Sequence, residues 1–583
     1  MCGIAGIIRK NGNVSVEHLM LMTDAIIHRG PDGEGQWINP KANVGMGHRR
    51  LSIIDLSNNA KQPMHYLNLR YTIVFNGEIY NYRELKCDLQ KDGYTFISES
   101  DTEVLLALYD KLKEKCLEQL DGMFAFAIWD ELEQKLFCAR DRFGEKPFYY
   151  THYDGDFYFA SEMKALWAIG IPKVFIKYKF DKFIQHGDVY FDDVEGTFYE
   201  NIFQLKAAHK ISLKPDLNLK QERYWQLIIP EQPIKIDFLD AVSEWEQLFK
   251  KSLLRRMRSD VKVGSSLSGG IDSSYIVALI CELQNKRINS FSAIFPGFEK
   301  DESEYIQAVV DHLNKIDSYK VIPNENELLD DFLKLSFHQE EPFQSASIYA
   351  QYKVFELARK QNTIVLIDGQ GADELLGGYL PYYEDYLRQL FFWNPKSYKS
   401  EMSAYKKIHG DYAPITNYAG QETLRMRLGR YKQKLVGNQS AYPKNYLKRK
   451  LVSDLCGQPL QTLLRYADRN SMANSVEVRL PFLNHKLAEW VVQLPDEYFL
   501  MEGWFKVLLR NSANKYLPEK VVWRRKKVGY EPPQKSWMHS KELKQKVKEA
   551  RSFFAVNTPS DDMVTESQNW RLVMAKYMME NNV

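Results

Sequence analysis

VKVGSSLSGGIDSSYIVALI, residues 261–280, decides the fold. A short β-branched run, Val261–Leu267, breaks at Ser268-Gly269-Gly270 and resumes as an apolar helical segment over Ser274–Leu283. Downstream, Ser290–Phe295, Tyr319–Ile322 and Thr363–Ile367 read as further short buried strands, with amphipathic segments near Glu304–Leu313, Glu327–Leu335 and Ile348–Arg359 among them. Strands alternating with helices predict parallel units in a doubly wound α/β sheet, which binds ligands beyond the carboxyl ends of its strands. The turn Ser268–Ser274 lies at such an end. Its glycines let the backbone approach a phosphate, the following helix offers free N–H groups, and Ser268, Ser273 and Ser274 add hydroxyl donors. No Gly-Lys-Ser/Thr follows, so this is not the loop of γ-phosphate-transferring enzymes. Asp272 suits a magnesium ion bridging phosphates. Taken alone, a plain Gly/Ser turn explains the same residues.

Outward from this core the rhythm changes. The first 160 residues read as β-rich, with strands at Tyr71–Phe75, Met123–Trp129 and Leu136–Ala139 and a hairpin turning at Asp154-Gly155. Helices are predicted at Val16–Ile27 and Glu103–Lys113. Leu205–Ile236 is Lys- and Pro-rich and weakly periodic, which suits a connection, and places a domain boundary near 225–236. Beyond Tyr379 the chain reads as mostly helical.

At 583 residues the chain holds several domain-sized units, and 44% hydrophobic with 26% charged residues is the balance of a globular protein with a large core. A net charge of +2 gives no reason to expect a nucleic-acid partner, and the basic stretch Arg425–Lys450 reads as a solvated helical face. Six scattered cysteines form neither a disulfide framework nor a zinc pattern. No apolar run is long enough to span a bilayer and the N-terminus does not read as a signal peptide, so the expectation is a cytoplasmic protein without a membrane partner.

Cys2 adds chemistry. Initiator Met1 is commonly removed before a small residue, which would leave a thiol and an α-amine on one residue, an arrangement in which the amine serves as the nucleophile's base. On position alone, a small apolar residue opening a strand is the better explanation.

The surrounding motifs resemble those of the class II (N-terminal nucleophile) glutamine amidotransferases: MCGIAG, HRGPD at 28–32, HRRLSIID at 48–55, FNGEIYN at 75–81, SDTE at 100–103, DGMFAFAIWD at 121–130 and RDRFGEKPFYY at 140–150. The resemblance implies that Cys2 attacks the side-chain amide of glutamine. It implies that Asn76 and the Gly77 N–H hold the oxyanion, that Arg50 takes the α-carboxylate, and that Asp101, with Glu78, takes the α-ammonium. Arg49 is the neighbour that could be mistaken for Arg50. Ser100–Glu103 also reads as a capping box, and Asn76-Gly77 as a turn.

LSGGIDSS, residues 267–274, resembles the pyrophosphate loop of ATP pyrophosphatases. Together with DGQGADELLGGY at 368–379 and RNSMANSVEVRLPFL at 469–483, it is similar to the synthetase domain of glutamine-hydrolysing asparagine synthetases. This implies a four-layer αββα glutaminase sandwich over 1–225, then a doubly wound ATP pyrophosphatase domain with a helical C-terminal part over 236–583.

By position, Leu267, Ser268, Gly269, Gly270, Asp272, Ser273, Ser274, Ala293, Asp368 and Gly369 would surround ATP, and Asp272 and Asp373 would hold Mg²⁺. Glu374, Asp468 and Arg469 would lie near the acceptor. A lysine stabilising adenylation is expected in WRRKKVGY (523–530) at Lys527, with Lys526 as the alternative. Gln370 stands where many relatives carry glutamate, and a glutamine cannot act as a base.

The implied reaction amidates aspartate with glutamine as nitrogen donor and ATP as energy source, making the chain a C–N bond-forming ligase. The alternatives are the same chemistry on a sugar acid or peptide carboxylate, or a non-catalytic sensor, against which Cys2, Asp272 and Asp373 all argue. The oligomeric state stays open, a homodimer being one option.

Overall fold

The computed structural model describes residues 2–189, 191, 195–214, 216–410, 444–525, 529, 531–554 and 565–580. The N-terminal strands are β1 (Gly3–Ile8), β2 (Gly33–Ile38), β3 (Val44–Arg50), β4 (Met64–Tyr66), β5 (Tyr71–Ile79) and β6 (Gly122–Asp130). They continue as β7 (Lys135–Arg140), β8 (Tyr149–Tyr153), β9 (Asp156–Ala160), β10 (Phe203–Gln204), β11 (His209–Leu213) and β12 (Leu219–Arg223). Two six-stranded antiparallel sheets result, ordered β10-β8-β9-β1-β3-β2 and β12-β11-β7-β6-β5-β4.

Side chains alternate across a strand. Ile4, Ile8, Val44 and Met46 of the first sheet therefore meet Val74, Ala125, Ala127 and Trp129 of the second in one fully buried core. The outer faces are covered by the helix Val16–Asp24 against β1 and β3 and the helix Asp101–Leu112 against β5, giving the layers of an αββα sandwich.

The Lys- and Pro-rich segment Leu205–Ile236 corrects the expectation of a bare connection. It carries β11 and β12, and β11 pairs with β7 and buries Ile211 and Leu213 in the intersheet core. Two alternating apolar residues were too few to register as a strand against so many lysines.

The second unit holds β13 (Val263–Ser266), β14 (Ile288–Ala293), β15 (Ile316–Val321), β16 (Val365–Ile367) and β17 (Glu477–Arg479). They form an all-parallel sheet ordered β15-β14-β13-β16-β17. The helices Ile271–Gln284, Ser303–Leu313, Glu325–Gln339 and Ser347–Lys360 make the crossovers. The chain runs outward from β13 through β14 to β15, then returns to the other side of β13 as β16. That reversal puts a crevice beyond the carboxyl ends of β13 and β16. β17 carries charged side chains at both ends, so no apolar pattern marks it in the sequence.

Beyond Tyr379 the described residues are mainly helical, and among the described residues no helix is long and apolar enough to cross a membrane. Of the basic stretch Arg425–Lys450, the part up to 443 lies outside the described residues; the helix Tyr446–Leu455 follows it and buries Leu447, Leu451 and Leu455.

At Gly6 in β1 a Cβ would lie 2.2 Å from the Phe159 ring, which is itself fully buried. Gly6→Ala is expected to overpack the intersheet core by about 1–3 kcal/mol, read as a lower apparent midpoint of the N-terminal unit in denaturant unfolding.

Candidate functional site

Cys2 leads into β1 and borders a cleft whose lining includes Arg50, Gly77, Glu78, Ser100 and Asp101. Packing of the two sheets gathers them: Arg50 ends β3 of the first sheet, Gly77 and Glu78 lie in β5 of the second, and Asp101 opens the helix behind β5. The Cys2 N–H donates to Asn76 Oδ1 at 3.0 Å, and the Cys2 carbonyl accepts from Arg29 Nε at 3.1 Å. Asn76 Nδ2 is left buried without a partner, at a cost of about 1–3 kcal/mol unless a ligand oxygen satisfies it. Burial pushes the Cys2 thiol up from its ordinary value, so the neutral thiol is the resting form. Gly77 takes φ +151°, and a Cβ there would sit 2.1 Å from the Met123 carbonyl, so only glycine fits this bend in the strand.

The Arg50 guanidinium is braced by the backbone carbonyls of Ser57, at 3.0 Å, and of Asp55. Arg49, one residue earlier, points to the opposite face and pairs with Asp24 and Glu34, which separates it from the cleft. Asp101 Oδ2 accepts the Ile79 N–H at 2.8 Å, yet burial pushes its carboxyl up to about 6. Glu78 is pushed well above the ordinary range by burial and by the nearby Glu477. Ser100 caps the helix through the Thr102 N–H, but Glu103 turns to the N–H groups of Ile97 and Ser98 instead of completing a capping box.

The second constellation occupies the crevice beyond β13 and β16. Ser268 N–H and Ser268 Oγ both bond Ser273 Oγ at 3.1 Å, and Ser268 Oγ accepts the Gly270 N–H at 3.3 Å, so the turn is preformed. Gly269 holds φ +76°, Gly270 caps the helix that starts at Ile271, and Ser274 Oγ is buried without a partner. Leu267 and Ala293 close the ends of β13 and β14, bridged by the Leu267 N–H to the Phe291 carbonyl at 2.9 Å. Across the crevice, Asp368 and Gly369 follow β16, and a Cβ on Gly369 would lie 3.1 Å from Asp272 Cβ. Burial raises the Asp368 carboxyl.

Asp272 and Asp373 converge on a residue the sequence reading missed. Lys506 Nζ lies 2.7 Å from both oxygens of Asp272 and 2.7 Å from Asp373 Oδ1, with its side chain 4% exposed. Lys506 immediately precedes the helix Val507–Ala513 in a left-handed conformation, φ +54°. A cation at a helix N-terminus opposes the helix dipole. That misfit in GWFKVLLR was the signal available in the sequence. Gly378 makes room for the triad, since a Cβ there would lie 1.8 Å from Asp373 Oδ1. Glu374 is buried beside it, takes the Tyr379 hydroxyl at 3.0 Å, and is raised to about 7 by burial and by Asp373.

Other expected residues fall elsewhere. Asp468 and Arg469 are not gathered with Glu374 but lie in an ionic cluster against the N-terminal unit. Asp468 accepts from Arg29 at 2.8 and 3.1 Å, and Arg469 pairs with Glu162 at 2.9 Å and Glu340 at 2.6 Å. Both are buried and bound to fixed opposite charges. Lys527 and its alternative Lys526 lie outside the described residues, while Arg524 of the same run pairs with Glu302 at 2.6 Å. Gln370 Oε1 is buried without a partner.

A glutamine amidotransferase domain family matches residues 1–225 and an asparagine synthase family matches residues 244–553. Asparagine synthetase [glutamine-hydrolyzing] 1 of Bacillus subtilis is 32% identical over 572 residues, 92% of this chain and 88% of that protein. Asparagine synthetase [glutamine-hydrolyzing] 3 of the same organism is 29% identical over 90% of this chain and 86% of its own length. Amidase chry2 of Gibberella zeae is 28% identical over 92% and 90%. With both halves matched in order and nearly the full length of its relatives covered, the chain belongs to the family of glutamine-hydrolysing asparagine synthetases.

Proposed function

We propose that this chain converts aspartate, glutamine, ATP and water into asparagine, glutamate, AMP and pyrophosphate. One observation carries the reading: a thiol beside an unsatisfied amide donor in a cleft with fixed Arg50 and Asp101, in the same chain as a phosphate turn facing Lys506. Aspartate is favoured over other carboxylic acids by the bacterial relatives, which carry the asparagine synthetase name.

In the N-terminal cleft, Arg50 and Asp101 anchor the α-carboxylate and α-ammonium of glutamine. The Cys2 thiol attacks the side-chain carbonyl carbon, and the α-amine freed by loss of Met1 takes its proton, since burial keeps the thiol neutral at rest. The oxyanion receives the idle Asn76 Nδ2–H with the Gly77 N–H beside it. The amine passes that proton to the leaving nitrogen as collapse expels ammonia, and water later hydrolyses the thioester to glutamate and restores the thiol.

In the crevice, the turn 268–274 cradles the phosphates of ATP, with Leu267, Ala293, Asp368 and Gly369 bordering the nucleoside. Lys506 offsets negative charge developing as a β-carboxylate oxygen of aspartate attacks the α-phosphorus and pyrophosphate leaves. Ammonia then attacks the acyl carbon, a proton is lost, and AMP departs. Two carboxylates already drawn to one cation fit Mg²⁺, which favours a few carboxylates completed by phosphate oxygens. Asp272 and Asp373 would hold it, and it would neutralise phosphate charge when bound. Glu374, with Tyr379 on its outer oxygen, borders the acceptor.

Three outcomes are expected. Cys2→Ala abolishes glutamine-dependent synthesis by on the order of a thousand-fold but spares synthesis from added ammonia, both read as pyrophosphate release with aspartate. Lys506→Met lowers pyrophosphate release about 100- to 1,000-fold with either nitrogen source, while glutaminase activity persists. Because Asp101 titrates near 6 and only its ionised form holds an ammonium, the KM for glutamine rises as pH falls through about 6. Asp101→Asn flattens that profile, with a raised KM throughout.

A further inference from the structure

One residue touches both constellations. Arg479 closes β17 and is fully buried. Its backbone pairs with Ile367 of β16, and its carbonyl accepts the Asp368 N–H at 3.0 Å, at the rim of the phosphate crevice. Its side chain runs the other way, into the N-terminal unit. Nη2 lies 3.3 Å from Glu78 Oε1, on a residue that lines the Cys2 cleft.

The guanidinium contacts are unequal. Nε donates to Glu477 Oε1 at 2.5 Å, and Nη1 donates to the carbonyls of Arg256 and Arg258 at 2.8 and 2.5 Å. These fix two edges of the plane. The Glu78 contact is long for a charge-assisted bond, and Glu78 Oε2 is buried with no partner. Glu78 is therefore held loosely enough to turn toward a cationic group entering the cleft, which changes the contact facing Arg479 Nη2. Because the guanidinium is held rigidly elsewhere and its own backbone belongs to the ladder ending at Asp368, the change reaches the phosphate crevice through a single residue.

Resting on the two-site reading above, we infer that Arg479 is a positioning residue that couples glutamine occupancy of the Cys2 cleft to nucleotide binding beyond β16. It touches no reacting atom.

The test uses the full chain carrying Cys2→Ala, which keeps the glutamine cleft but cannot hydrolyse glutamine, with ammonia as nitrogen source. The KM for ATP, from pyrophosphate release with aspartate, is measured with and without saturating glutamine. Glutamine is expected to shift this KM by roughly five-fold, and adding Arg479→Lys brings the ratio to about one. The ratio is internal to each variant, so a general loss of activity cancels. If Arg479→Lys fails to fold by thermal melting, Glu477→Ala, which removes the acceptor of Nε, carries the same test and must move the ratio toward one. A ratio of one in Cys2→Ala itself, or an unchanged ratio in the variant that folds, overturns the inference. No pyrophosphate from ATP, aspartate and ammonia at all would instead overturn the two-site reading beneath it.

Discussion

The fully buried guanidinium of Arg29 is the contact on which the arrangement of the two units turns. It bonds Glu162 of its own unit at 2.6 Å, Asp468 of the other unit at 2.8 and 3.1 Å, and the carbonyl of Cys2 at 3.1 Å. Around it Lys146, Lys164, Arg469 and Glu340 close a network with almost no exposed member. Removing one partner from such a network leaves a bare charge in low dielectric and costs about 3–5 kcal/mol, whereas the intact set contributes little net stability. The residue that holds the Cys2 backbone is thus itself held by a helix of the second unit.

The second site follows a related logic with a different outcome. Lys506 lies between Asp272 and Asp373, and burial that would disfavour its charge is outweighed by the two carboxylates, which keep the ammonium raised above its usual value. The strand ends supply the geometry: the turn after β13 and the loop after β16 face each other only because the sheet reverses direction between them.

Much of this was legible in the chain. The alternation of short apolar runs and helical segments after residue 261 reads directly as a parallel sheet, because its periodicity is local. The residues around Cys2 were legible for a different reason: Asn76, Gly77, Arg50 and Asp101 sit in short motifs, and the pairing of β1 with β3 together with their packing on β5 carries those motifs to one cleft. Lys506 was not legible as a site residue, since its partners lie 234 positions away at Asp272 and near the other loop at Asp373. The strands of Leu205–Ile236 were hidden by their lysines, and β17 by two buried charges.

The sequence by itself therefore determined the parallel strands after residue 261, where a Gly/Ser turn opens a helix, and that a cysteine stands at position 2, all consequences of local spacing and residue chemistry. Only the tertiary structure decided that Asp468 and Arg469 serve the junction between units, that Lys506 joins the two aspartates, and that Arg479 spans from the Cys2 cleft to Asp368. A buried charge must find its opposite wherever the fold delivers one, and that pairing is set by packing between distant segments, which leaves no periodic trace along the chain.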